Sequence, residues 1–302
     1  GGNEFALLET SGKFTVLSLA SGQPVVSSQL QPETELHSLV VWPSKEQYTV
    51  LANRQIPTSL PSTTQPISGG SMGGMQALQW AVAYPNRVRN IIALASTARL
   101  SPQTIALNEV PRQAIYADPH WNNGDYYDGP RPESGLAVAR MVAHITYMSE
   151  TSMEQKFGRR LQGGVALSHT LSEPEFAVES YLAYQGEKFV RRFDANSYLV
   201  ITKAIDYFDI GADYGSLRAA VERARANFLV VAFSSDWLYP AWQGQELVQA
   251  CQEAGRGVEY QHVEAPFGHD SFLVEVEQMT EVVGGYLDRR WRALGRDGQR
   301  AP

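Results

Sequence analysis

The stretch Gly69-Gly70-Ser71-Met72-Gly73-Gly74 constrains the fold more than any other part of the chain. A serine with glycines two positions to either side is the pattern of a nucleophile elbow, a strained turn from strand to helix. Side chains at Gly69 or Gly73 would be expected to collide with the strand and helix that cross there. Met72 to Tyr84 reads as an amphipathic helix that stops at Pro85, so its N-terminus points at Ser71. The competing reading of the motif is a Gly/Ser-rich loop. Choosing between them requires a base and an acid further along the chain.

Around the elbow the pattern is α/β. Arg87 to Ser96 forms an apolar run of the kind buried in a parallel sheet. Ala226 to Phe233 is a second such run, ending in Ser234-Ser235-Asp236. A helix is predicted over 241–254. Gly257 to Glu264 reads as the last strand, leading to Pro266-Phe267-Gly268-His269-Asp270, and a helix over 272–288 follows. Between these halves, residues 101–215 read as helices (101–118, 135–149, 172–184 and 195–208), which predicts an inserted helical lid. The expected division is a core of 69–100 and 216–290, the lid at 101–215, a polar frayed tail at 291–302 and an atypical segment at 1–68. That first segment has β-like runs at Phe14 to Leu19, His37 to Trp42 and Tyr48 to Leu51 and no clear helix. Two prolines, Pro61 and Pro66, stand where a strand should precede the elbow, and proline does not suit an interior strand.

A chain of 302 residues, 43% of them hydrophobic, can bury a large core. Its net charge of −7 gives no electrostatic reason to bind nucleic acid or an anionic membrane. No apolar run reaches membrane-spanning length and no signal-peptide order opens the chain. The single Cys251 cannot form an internal disulfide and reads as a packing residue on the helix after Pro240, so the cytoplasm is the default compartment.

In open α/β sheets reactive groups gather at the carboxyl ends of the strands. Three such ends carry Ser71, Asp236 and His269, in the chain order serine, aspartate, histidine expected for the α/β-hydrolase fold. A serine hydroxyl is a poor nucleophile until an imidazole takes its proton, and the imidazole needs a carboxylate to fix its tautomer. Asp236 has a bland alternative as a turn residue or helix cap near Pro240. Of the other histidines, His262 lies within the last strand, whereas His269 lies in a Gly-containing loop after it. Arg140 and Tyr147 are seven residues apart and share a helix face with His144 between them. That face is a ligand site, a solvated polar stripe or an ion pair within the lid.

The residues resemble the homoserine O-acetyltransferases, acyl-CoA-dependent enzymes with the α/β-hydrolase fold and a helical lid. The likeness runs from about residue 68 to 290 and is carried by Gly69 to Trp80, Asn108 to Ile115, Gly124 to Tyr127, Ala143 to Tyr147, Phe193 to Asp209, Ser234 to Trp237 and Gly268 to Leu273. It implies a ping-pong reaction in which Ser71 takes the acetyl group of acetyl-CoA and passes it to the hydroxyl of L-homoserine, a step of methionine biosynthesis. His269 would serve as base and acid and the N–H of Met72 as an oxyanion donor, while Arg140, Tyr147 and Asp270 would form the amino-acid pocket, the arginine meeting the substrate carboxylate and Asp270 its ammonium. It also implies a homodimer, no permanently bound cofactor and no metal. Members usually carry a longer segment before the serine, with a loop supplying the second oxyanion donor. Residues 1–68 show no such loop, which a truncated, substituted or frame-shifted N-terminus would explain. Other readings are a related transferase acting on serine or using succinyl-CoA, an esterase with the same triad, and a catalytically defective product.

Overall fold

The computed structural model describes residues 66–163, 167, 169 and 174–293 with their side chains. It describes the backbone alone of Gln65, Gly164, 294–298 and five strands before residue 53. Those strands are β1 (Glu4–Leu8), β2 (Lys13–Ser18) and β3 (Pro24–Gln29), which pair antiparallel, and the antiparallel pair β4 (Leu39–Ser44) and β5 (Gln47–Ala52). The chain divides into two compact units, one of residues 1–37 and 100–208, the other of 38–99 and 209–302.

The second unit is built on four parallel strands, β6 (Gln65–Gly70), β7 (Val88–Leu94), β8 (Asn227–Phe233) and β9 (Val258–Val263), lying side by side in chain order. β8 is buried from Phe228 to Phe233, as an apolar strand covered on both faces must be. The expectation that proline would spoil the strand before the elbow is corrected for Pro66, while Pro61 lies outside the described residues. Pro66 is exposed at the second position of β6, and the register with β7 shifts between Gln65 and Pro66, so the ring occupies a place that asks for no ladder donor.

Five α-helices among the described residues complete this unit around the sheet: α1 (Met72–Ala83), α7 (Leu217–Arg223), α8 (Ala241–Glu253) and the C-terminal pair α9 (Ser271–Val274) and α10 (Val276–Gly298). α10 packs Met279 and Tyr286 against Ile92, Leu229, Val231 and Phe233. The one polar atom this places in the core, the Tyr286 hydroxyl, donates to Asn90 Oδ1 at 3.2 Å. Arg289 and Arg290 both reach Glu259 on β9. The helix therefore continues through Gly298, where a frayed tail was expected from residue 291, and it starts only after a non-helical Glu275. Cys251 is fully buried on α8, and burial pushes its thiol up to about 12, as suits a packing residue.

The helical part of the first unit comprises α2 (Pro102–Ala117), α3 (Glu133–Tyr147), α4 (Glu150–Lys156), α5 (Ala177–Val190) and α6 (Ala195–Asp206). Short-range chemistry sets its boundaries. Ser101, Ser149 and Asp194 accept the N–H groups of Thr104, Ser152 and Ser197 and so cap α2, α4 and α6. Ile115, Leu136, Ala139, Phe189 and Leu199 form its apolar centre. Inside the same packing lies Arg112, 1% exposed, paired at 2.6 Å with Asp206 on α6 and at 2.7 Å with Glu109. Asn108 donates to the other oxygen of Asp206.

The chain leaves β7 for this helical segment and returns from it through an antiparallel bridge between Arg99 and Asp209. The Ile210 N–H donates to the Ala98 carbonyl beside that bridge. No helix among the described residues is long and apolar enough to cross a membrane.

Candidate active site

Ser71 follows β6 directly and precedes α1, with φ 55° and ψ −125°. A side chain disfavours that conformation, and the surrounding hydrogen bonds hold it. The Ser71 N–H donates to the Leu94 carbonyl of β7 at 2.9 Å, and the Ser71 carbonyl accepts the Ser96 hydroxyl at 2.8 Å. Gly69 is required because a Cβ there would lie 2.2 Å from the Gly73 carbonyl carbon. The expectation for Gly73 itself is corrected. A Cβ on it meets nothing within 4 Å among the described residues, and the other crowded glycines of the elbow are Gly70, against the Phe272 ring, and Gly74, against Ser96. The close approach is between the backbone at Gly69 and the first turn of α1.

Because the strands are parallel, the chain after β8 and after β9 emerges at the same sheet edge as Ser71. Asp236 and His269 arrive there. His269 Nε2 is 2.8 Å from Ser71 Oγ, and His269 Nδ1 is 2.8 Å from Asp236 Oδ2. Both partners are shielded: the Asp236 side chain is fully buried and His269 is 3% exposed. Asp236 Oδ1 accepts the N–H groups of Leu238 and Tyr239 at 3.0 and 2.9 Å. The turn-residue reading of Asp236 and the triad reading thus describe different oxygens of one carboxylate. With one oxygen locked into the turn, the other can only face the imidazole.

The groups that hold His269 in place have no signature in the sequence. Tyr239 and Phe272 stand edge-on to its ring at 5.1 and 5.8 Å. Ser235 links the two loops: its hydroxyl accepts the Gly268 N–H at 2.9 Å and donates to the Ala265 carbonyl. Such a contact spans about thirty residues and has no local pattern, although a serine beside the acid at a strand end was the available clue. Ser235→Ala is expected to lower the rate at which a phosphonate ester labels Ser71 by ~10–100-fold, since small misplacement of a reacting group has effects of that size. Ser235→Thr, which keeps the hydroxyl, should restore most of it. Equal labelling by the alanine variant would show that the loop holds its shape without the bridge.

The remaining candidates are distributed between the units. Met72 opens α1, where helix geometry leaves its N–H without an intrahelical acceptor. Asp270 is half-buried in the turn Gly268–Asp270, next to His269. Arg140 and Tyr147 lie on α3 in the helical unit, the guanidinium 5.9 Å from the Tyr147 ring centre and 4.9 Å from that of Phe189. They do share a face, as their spacing required. His262 lies in β9 and faces Glu264 at 3.3 Å, apart from the triad. Residues 1–68, where the resemblance would put the second oxyanion donor, lie mostly outside the described residues.

A nucleophilic hydroxyl, an imidazole that can take its proton and a buried carboxylate behind the imidazole are the parts needed to form and discharge an acyl-serine. Comparison with known proteins agrees with this chemistry. The sequence profile of the α/β-hydrolase fold matches residues 60–276. A homoserine O-acetyltransferase of Solidesulfovibrio magneticus is 52% identical over 237 residues, 78% of this chain and 60% of that protein. A homoserine O-succinyltransferase of Acidithiobacillus ferrooxidans is 49% identical over 231 residues, 76% and 60%. A crystal structure of homoserine O-acetyltransferase from Bacillus anthracis superposes with a TM-score of 0.66 at 25% identity, covering 72% of this chain and 57% of that one. The chain spans about 60% of the length of these relatives. On its parallel sheet, its elbow and the profile match, this chain belongs to the α/β-hydrolase fold family.

Proposed function

We propose that the chain carries the acyl-transfer centre of a homoserine O-acyltransferase, moving an acetyl group from acetyl-CoA to the hydroxyl of L-homoserine. The observation that carries this reading is the hydrogen-bonded line from Ser71 through His269 to Asp236 in a chain about half identical to proteins of that name. In the first half-reaction Ser71 Oγ attacks the thioester carbonyl while His269 Nε2 takes its proton. The tetrahedral oxyanion accepts the Met72 N–H, and the proton passes to the departing CoA thiolate. In the second, His269 takes the proton of the homoserine hydroxyl, whose oxygen attacks the acetyl-serine, and Ser71 leaves with that proton.

Arg140, Tyr147 and Asp270 are assigned to the acceptor. A guanidinium suits a carboxylate because its planar fork donates two parallel hydrogen bonds, and the Asp270 carboxylate suits an ammonium. A succinyl donor is the second reading, favoured by the likeness to the Acidithiobacillus protein. The two donors differ by a methylene and a carboxylate, so a succinyl donor would ask for a cationic partner at the end of the acyl pocket. The likeness further supports a place in methionine biosynthesis, a cytoplasmic location and a homodimer as parts of this proposal.

The test has two arms. Mass spectrometry of the chain quenched with acetyl-CoA should find one acetyl group, on Ser71. Release of CoA should then depend on homoserine. An acetyl group on another residue would remove Ser71 from its role, and release equally fast without homoserine would make the chain a hydrolase.

A further inference from the structure

We propose that His144 is a substrate-binding residue, the second hydrogen-bond donor of a carboxylate subsite whose first donor is Arg140. The inference rests on the acyl-transfer reading only for the identity of the molecule that brings the carboxylate.

Arg140 and His144 are four residues apart on α3, one above the other on a single face. Each keeps a buried nitrogen without a hydrogen-bond partner among the described residues, Nε of Arg140 and Nε2 of His144. Buried polar groups in folded proteins are nearly always paired. Two orphans one turn apart on one helix face are donors held for a ligand that brings its own acceptors.

The walls around them select for an anion. The Lys156 ammonium stands 4.1 Å above the Tyr181 ring, the Arg140 guanidinium 4.9 Å from the centre of Phe189, and Arg192 packs against the same Phe189. Burial, followed by the charges of Arg140, Lys156 and Arg192, pushes His144 down to about 3, so the imidazole stays neutral across the working range. A neutral imidazole offers a donor at one nitrogen only, and its partner decides which. The other nitrogen, Nδ1, lies 3.2 Å from the Tyr181 hydroxyl. When that hydroxyl donates to Nδ1, the ring hydrogen resides on Nε2 and completes a two-donor fork with Arg140. Tyr181 is then a positioning residue that fixes the tautomer.

The carboxylate has two possible sources: the α-carboxylate of the amino-acid acceptor, or the distal carboxylate of a succinyl donor. His144→Phe keeps a ring of similar volume without the donor, and His144→Gln keeps an N–H near the position of Nε2. In the full chain, calorimetric binding of homoserine without acyl-CoA and steady-state KM values for homoserine, acetyl-CoA and succinyl-CoA are measured, with circular dichroism as the check on folding. The phenylalanine variant is expected to weaken homoserine binding by about 10–100-fold and to raise its KM far more than it lowers kcat. The glutamine variant should recover most of the loss. A rise confined to the KM of succinyl-CoA supports the subsite and assigns it to the donor. Should His144→Phe fail to fold, His144→Gln and Tyr181→Phe carry the test, the latter through a smaller rise in KM and a changed imidazole nitrogen signal by NMR.

Wild-type binding and KM values in His144→Phe would overturn the proposal, as would a glutamine variant damaged as badly as the phenylalanine one, which would indicate a packing role. Because calorimetry needs no turnover, a chain that never acylates Ser71 yet loses homoserine binding on His144→Phe would end the acyl-transfer reading and leave this subsite standing.

Discussion

Asp236→Asn is expected to lower the rate of acyl transfer by up to ~10⁴ while leaving the fold intact. The amide can still accept the Leu238 and Tyr239 N–H groups through its oxygen, which preserves the turn. Its nitrogen then faces His269 Nδ1 as a donor, so the imidazole must carry its hydrogen on Nε2. That places a hydrogen where the Ser71 proton has to go. Single-turnover acetylation of Ser71, followed by quenching and mass spectrometry, measures the loss, and circular dichroism reports the fold. Acetylation at the wild-type rate would remove Asp236 from the proton path.

The second large effect falls on stability. Asp206→Ala is expected to destabilise the helical unit by about 3–5 kcal/mol, the usual result of leaving a buried charge without its partner. Arg112 is all but fully buried between α2 and α6 and would keep only Glu109, whose side chain is 44% exposed. The Asn108 amide would lose its acceptor as well. Guanidinium unfolding followed by tryptophan fluorescence tests this, and a midpoint unchanged from wild type would show that Glu109 alone balances the arginine. Acid weakens the same corner. Hydrogen bonds from Gln113 and Arg112 hold the Glu109 carboxyl below its ordinary range. The stability it contributes is present above that range and is lost as pH falls through the lowered value.

Much of this architecture is legible in the chain because its strongest signals are local. The strand and helix around Ser71, the apolar run of β8 and the loop of His269 each announce themselves within ten residues, and parallel pairing then brings their ends together. Some boundaries followed suit: the run predicted over 101–118 is a helix from Pro102 to Ala117, and that over 241–254 runs from Ala241 to Glu253, whereas that over 172–184 is corrected to α5, from Ala177 to Val190. The short α4 escaped notice because seven residues hold too few periods to show amphipathicity. Gly73 was misassigned because the motif records which positions approach closely but not which partner contributes the crowding atom. Ser96, Ser235 and the pairing of Arg112 with Asp206 were invisible for a different reason. They join residues far apart in the chain, and no propensity or period encodes such a pairing. The orphaned nitrogens of Arg140 and His144 likewise emerge only when the neighbours of α3 are in place.

The Arg99–Asp209 bridge has an implication for how such a chain can change over time. β7 and β8 are adjacent strands, yet more than a hundred residues run between them, entering and leaving beside one another. When the two ends of an excursion are pinned together, the entropy of closing it grows only with the logarithm of its length. Residues 100–208 can therefore be lengthened, shortened or rewritten with little strain transmitted to the strands on either side. Ser71, Asp236 and His269 all lie outside that excursion. Variation in the helices is thus free to accumulate as a cassette, exchanged at one seam while the strands that carry Ser71, Asp236 and His269 are inherited unchanged.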